Sequence, residues 1–329
     1  MSEFLKALKN RSQKTPIWFM RQVGRYLPEY QQLKKEHTLK ELFHSEDFIA
    51  EATYLGPRIL DTDAAILFSD ILTVLDGFSL AYDFLPSSGP IIDYSLQELT
   101  FTNEPEIIFR PLIKGILSLK KELKVPLIGF AGSPFTIASY LIDGGASKDF
   151  KKTGIHMRRY PKEFSIMIDI LIDATITYLK LQIQAGVDVI QLFDSCSHQL
   201  SEEDFLTYSV LPNQKIIRSL REKYDTPIIL FCRNSSFYFR ELIQTGADCL
   251  SIDWLTPLKK IRTGIPQHVA LQGNMPPLLL CASQQEIQKY LDKHLLKNSN
   301  YIFNTGHGLV PETPVDNVKF TIDYIRNGF

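Results

Sequence analysis

Short runs of apolar, β-prone residues recur along the chain: Ile17–Met20, Ala64–Phe68, Pro126–Ala131, Val187–Phe193, Pro227–Cys232, Cys249–Ile252, Val269–Gln272 and Tyr301–Asn304. Near-continuous hydrophobic runs of this length are what strands covered on both faces require. Longer stretches of helical period lie between most of them. Residues 29–60 hold more than one helix, with breaks expected near His44-Ser45 and Gly56-Pro57. Residues 105–123 and 161–185 read as amphipathic helices, the second ending at Gly186. Ser201 begins another with acids in its first turn, residues 237–245 end at Gly246, and Ser283 with Glu286 predicts a capping box for 283–296. Residues 314–326 form the last helix. Residues 77–94 and 144–160 interrupt the rhythm, each as an inserted hairpin or excursion.

Eight strand–helix alternations predict a parallel sheet, and eight is the number that closes a (β/α)8 TIM-type barrel. An open doubly wound sheet is the alternative, but no G-x-G-x-x-G follows any run. No repeat, low-complexity tract or linker divides the chain, so residues 1–329 are expected to form one barrel domain.

Composition narrows the classes of partner. With 36 Lys and Arg against 37 Asp and Glu, the net charge is −1, which offers neither a nucleic-acid surface nor a basic membrane-binding face. Recognition of an anion would therefore fall to a few placed arginines. The four cysteines show no C-x-x-C, the first fifteen residues lack an apolar core, and no run is long enough to span a bilayer. A reduced, cytoplasmic protein is expected.

In such barrels the chemistry gathers at the C-terminal ends of the strands. The residues that follow the runs are Arg21 and Arg25, Ser69-Asp70, Gly132-Ser133-Pro134, Asp194-Ser195, Arg233-Asn234, Asp253-Trp254, Gly273-Asn274 and Thr305-Gly306-His307-Gly308. Arg21 and Arg25, with Gly24 between them, suit a clamp for carboxylates or phosphates, or a surface turn pairing with Glu29 and Glu36. Asp70 either caps the next helix or accepts N–H bonds and stabilises a cation. His307 lies between two glycines that permit close approach of a ligand, although a turn histidine would look the same. Ser195 either caps the helix near Ser201 or meets substrate. Tyr140 suits core packing, and Asp253-Trp254 reads as structural. Asp194-Ser195 has no nucleophile elbow, and neither Cys196 nor His198 has partners at zinc-ligand spacing.

Together the blocks resemble one family. Met20-Arg-Gln-Val-Gly-Arg-Tyr-Leu-Pro-Glu29, Asp63-Ala-Ala-Ile-Leu-Phe-Ser-Asp-Ile-Leu72 and Gly129-Phe-Ala-Gly-Ser-Pro-Phe-Thr136 look like uroporphyrinogen decarboxylase. Ser139-Tyr-Leu-Ile-Asp-Gly-Gly145, Gln191-Leu-Phe-Asp-Ser195, Leu271-Gln-Gly-Asn274 and Gly306-His-Gly308 follow in family order. The resemblance implies a homodimeric barrel enzyme, without cofactor or metal, that converts the four acetate side chains of uroporphyrinogen III to methyls. It implies that Arg21 and Arg25 bind substrate carboxylates, with Arg21 also a possible acid. Asp70 would accept the pyrrole N–H groups at the macrocycle centre, and Tyr140, Ser195 and His307 would hydrogen-bond the peripheral acids. Asp70, Arg21 and Tyr140 make up the implied catalytic set.

The chain departs from the family pattern at Met275-Pro276, Cys196-Ser197-His198, Val23 and the segment 233–236. Two other readings compete. One is a tetrapyrrole-binding protein without turnover. The other is a corrinoid methyltransferase of the same superfamily, against which stands Leu230 where a His-x-Cys zinc pair with Cys232 would need histidine.

Overall fold

The computed structural model describes residues 1–329 apart from 79, 86–88, 95–98, 234, 298 and 328–329. Among the described residues nine strands form: β1 (Ala65–Ile66), β2 (Tyr82–Leu85), β3 (Gly89–Ile92), β4 (Leu127–Gly132), β5 (Val189–Asp194), β6 (Ile228–Cys232), β7 (Cys249–Ser251), β8 (Ala270–Met275) and β9 (Tyr301–Thr305). Seven of them make one parallel sheet in the order β1-β4-β5-β6-β7-β8-β9. The remaining two, β2 and β3, pair antiparallel, so the excursion at 77–94 contains the expected hairpin. The one at 144–160 instead contains a helix, Lys151–Arg159.

The first apolar run does not extend into a strand. It makes a single parallel bridge, Ile17 to Phe303 of β9. The Phe303 N–H bonds to Pro16 O at 2.9 Å and the Trp18 N–H to Phe303 O at 3.3 Å, while Ile17 O accepts from Asp63 N at 2.8 Å. The run thus lies between β9 and the chain leading into β1. It is short because its later donors go elsewhere: the Met20 N–H bonds to the Asn304 side-chain oxygen at 3.0 Å. The second run shortens similarly. The Phe68 N–H leaves the ladder for Thr53 Oγ1 at 2.8 Å.

One buried cluster draws on every part of the parallel sheet: Ala64, Ile128, Val189, Ile229, Phe231, Cys249, Ala270 and Ile302, joined by Trp18 and Met20. Neighbouring strands align these residues in rows, as in Ile229 beside Cys249 and Cys249 beside Ala270. The sheet therefore curls around one face of its own side chains, in the manner of a TIM barrel. Phe4 and Ala7 of the helix Glu3–Ala7 close one end of the cluster. Inside it, Trp18 Nε1 donates to Gln272 Oε1 at 2.8 Å, and Gln272 Nε2 to Ser251 Oγ at 2.9 Å. A second, larger core lies between the sheet and its helices.

Two local expectations change. The helix Glu46–Leu60 runs through Gly56 and Pro57. Gly56 is there for packing, since a Cβ would stand 2.5 Å from Gln22 Nε2. Burial of Ile49, Ala52, Leu55 and Leu60 holds the helix despite the proline. Ser283 caps the helix Gln284–His294 through Glu286 N, but the Glu286 carboxylate pairs with Lys289. A complete capping box occurs at Thr38 and Glu41. Among the described residues, no helix is long and apolar enough to cross a membrane.

Candidate active site

The chain turns sharply after Met20. Arg21 has φ +62°, a left-handed conformation that costs a non-glycine residue about 1–2 kcal/mol. Its neighbours hold it there. The Gln22 N–H bonds to Phe19 O at 2.9 Å, and Met20 O accepts from Leu309 N at 2.9 Å. The buried Gln22 side chain reaches Ala64 O at 3.1 Å, and its own carbonyl accepts from the Tyr26 hydroxyl at 2.7 Å. These bonds tie the Arg21 turn to the segment carrying His307 and to the approach of β1. Strain fixed by surrounding bonds in this way is characteristic of working sites. Arg21 and Arg25 are both exposed. Neither makes an ion pair among the described residues, so the turn is not held by Glu29 or Glu36.

Asp70 follows β1. One carboxylate oxygen, Oδ1, accepts the Leu72 N–H at 2.9 Å, and the backbone of Asp70 exchanges bonds with Thr73. The capping role is therefore met by one oxygen, ahead of the 3-10 helix Thr73–Phe78. The other oxygen has no partner among the described residues and is free for a ligand. Asp70 is half-buried. Burial pushes its carboxyl above the usual range, opposed by the Leu72 N–H and the Arg21 charge.

Tyr140, Tyr30 and His307 each feel a charge of this pair. Tyr140 lies in the helix Pro134–Asp143, half-buried, its ring 5.8 Å from that of Phe150. Its hydroxyl has no partner among the described residues. Burial raises it to about 12, with Asp70 pushing up and Arg21 and Arg233 pulling down. The packing expected of Tyr140 and its nearness to charge thus coexist. Tyr30, from the same stretch as the arginines, is also raised to about 12 by burial and feels both Arg25 and Asp70. Nothing in its spacing marked it.

His307 sits at the end of β9 between Phe231 and Trp254, with ring centroids 5.9 and 6.4 Å away. Burial, then the charges of Arg21 and Arg233, lower it to about 4, so the imidazole is neutral at physiological pH. Ser195 does not cap the next helix; Ser201 does. The Ser195 carbonyl bonds His198 Nδ1 at 3.0 Å, and its hydroxyl is unpartnered among the described residues. His198, part of a departure from the family pattern, is itself lowered by burial and then by Arg233.

Beneath Ser195 lies a buried polar web. Asp194 accepts from Thr136 Oγ1 at 2.9 Å, Ser209 Oγ at 2.5 Å and Asn213 Nδ2 at 3.3 Å. Thr136 Oγ1 also accepts the Cys196 N–H at 3.2 Å. Ser197 bonds to Asp194 O and to the Cys232 thiol, so two members of the departing segment serve packing. Asp253 is structural, as expected: it takes Ser236 N and Oγ and Leu255 N. Asn274 Nδ2 spans Asp253 O and Thr256 O. Pro276 leads into the 3-10 helix Pro277–Cys281. Asn234 lies outside the described residues.

Arg21, Asp70, Tyr140 and His307 thus gather at one end of the sheet, linked by the charges they feel, with Ser195 beside His198. A carboxylate with one unpartnered oxygen, feeling the Arg21 charge, suits a ligand that offers N–H donors to Asp70 and acids to the arginines.

Comparison with known proteins agrees. The family model for uroporphyrinogen decarboxylase (URO-D) matches residues 1–328. The chain is 47% identical to the uroporphyrinogen decarboxylase of Chlamydia abortus over 326 residues, covering 98% of this chain and 97% of that protein. It is 48% identical to that of Chlamydia caviae over the same length and coverage. Among solved structures it is similar to a methyltransferase from Methanosarcina mazei, with a TM-score of 0.84 across 99% of this chain and 98% of that one. At 19% identity that likeness speaks for the fold alone. The relatives near half identity do not favour the methyltransferase or the inactive binding-protein reading. The chain belongs to the uroporphyrinogen decarboxylase family.

Proposed function

We propose that this protein decarboxylates the four acetate side chains of uroporphyrinogen III, giving coproporphyrinogen III and carbon dioxide in tetrapyrrole synthesis. The observation that carries the reading is the half-satisfied Asp70 carboxylate within reach of the Arg21 charge, in a chain of this family. The framework is read as a single-domain (β/α)8 barrel over residues 1–329, with the run at 17–20 as its closing strand. The bonds from Ile17 and its neighbours to Phe303 and Asp63 support that closure.

Cleaving an acetate C–CO2 bond leaves an electron pair that needs a sink. Protonation of a pyrrole carbon makes the sink within the substrate. The departing carboxylate leaves as CO2, its electron pair neutralises the cation, and the resulting exocyclic methylene takes a proton as the ring gives one up. Each acetate and one proton thus become a methyl and CO2. Asp70 accepts pyrrole N–H bonds through its unpartnered oxygen and stabilises the cationic stage, where a fixed charge in a dry site acts most strongly. Arg21 and Arg25 bind carboxylates, each guanidinium offering a bidentate fork, so Arg21 acts first as a clamp. Tyr140, Ser195 and neutral His307 hydrogen-bond peripheral acids.

A cytoplasmic homodimer is part of this reading. Phe237 (74% exposed) in the helix Ser235–Ile243 after β6, Leu278 (70%) in the 3-10 helix after β8, and Leu255 (49%) and Trp254 (38%) in the turn after β7 are exposed apolar side chains that a second copy would cover. Anaerobic incubation with uroporphyrinogen III, followed by oxidation and chromatographic counting of carboxylates per porphyrin, tests the activity. Seven- to four-carboxylate products should appear in turn. Persistence of the eight-carboxylate substrate would overturn the reading.

A further inference from the structure

Arg233 is the first residue after β6. Its N–H bonds to Asp194 O at 3.2 Å, which sets it beside Ser195 at the same end of the sheet. With the run at 17–20 lying between β9 and β1, the sheet order puts β6 four positions from that run in either direction. Arg233 therefore stands across the mouth from Arg21 and Arg25.

The Arg233 side chain is exposed and makes no hydrogen bond or ion pair among the described residues. Nearby acids cannot hold it, because Asp194 and Asp253 have their oxygens taken by other donors. Its charge nonetheless reaches Tyr140, His198 and His307. An exposed guanidinium at this end of the sheet, with no partner among the described residues, is poised for a ligand anion.

We propose that Arg233 grips a carboxylate of the substrate on the side of the mouth opposite Arg21 and Arg25, so that the macrocycle is held between two cationic rims. The inference rests on the decarboxylase reading of the same site.

Steady-state kinetics with uroporphyrinogen III test it. Arg233→Gln should raise KM about tenfold or more, the loss of one charge-assisted contact, with a smaller change in kcat. Arg233→Lys should recover most of that loss. A KM for Arg233→Gln within twofold of the parent, in an enzyme that turns over normally, would overturn the proposal and leave the decarboxylase reading standing. Failure of the parent protein to turn over would instead sink that reading. Product inhibition by coproporphyrinogen III, which keeps only propionates, identifies the acid gripped. Weakened inhibition in Arg233→Gln assigns a propionate, and unchanged inhibition alongside the raised KM assigns an acetate.

Discussion

The Arg21 side chain lies directly across Gly308: a Cβ at position 308 would stand 2.5 Å from Arg21 Cδ and 3.0 Å from its Nε. The glycine beside His307 thus serves the arginine, giving the guanidinium a path over the backbone.

Gly308→Ala should therefore displace the Arg21 head group while the backbone bond between Leu309 and Met20 holds the turn. We expect kcat/KM to fall about tenfold or more, since misplacing a positioning group by an ångström is that expensive, with little change in melting temperature. A variant with parental kcat/KM would show that the path of Arg21 over residue 308 is not used.

Asp70 separates activity from stability. Its carboxyl is raised above the ordinary value of 3.8, chiefly by burial, so the fold disfavours its charge. That penalty is absent well below the unfolded pKa and is felt in full once pH has risen through the folded one. Asp70→Asn keeps an oxygen for the Leu72 N–H and removes the charge. Turnover should fall by about 10²–10³-fold, as for loss of one preorganised electrostatic contact, while the melting temperature at neutral pH does not drop. Near-normal turnover would remove Asp70 from the chemistry.

Much of this arrangement is legible in the sequence. Runs covered on both faces announce themselves by unbroken hydrophobicity, so seven of eight became strands of the parallel sheet. The eighth, 17–20, has the same composition but loses its ladder donors to Asn304, a distant partner that no local pattern reveals. Gly56-Pro57 looked like a break because propensity is local, whereas the Gln22 side chain packed on Gly56 is a tertiary fact. Asp70, Arg21 and His307 could be named from their place after strands. The isolation of Arg233 could not, because it depends on Asp194 and Asp253 being satisfied elsewhere.

Thr136 carries a load the sequence does not mark. Its hydroxyl donates to buried Asp194 and accepts the Cys196 N–H, bridging β5 and the loop that carries Ser195. Thr136→Val keeps the volume but leaves an acceptor and a donor unpaired. The expected loss is about 1–3 kcal/mol in urea unfolding. A loss below the error of extrapolation would mean that water replaces the hydroxyl.

His307 makes a pH signature that follows from its surroundings. Burial and the charges of Arg21 and Arg233 lower it from 6.5 to about 4 in the fold, so the unfolded chain binds its proton more readily. Stability tied to this group is intact above 6.5 and drains away as pH falls toward 4. The difference corresponds to at most about 3 kcal/mol. His307→Asn has no proton to gain, so its urea midpoint should fall less than the parent's between pH 7 and pH 4.5. It should also bind substrate more weakly at pH 7, because one imidazole contact is lost. The parent's rate profile between pH 6 and 8 should carry no inflection from His307, whose ring is neutral throughout. Equal acid sensitivity in parent and variant would mean that His307 titrates near its ordinary value, and that its ring is less buried than the fold places it.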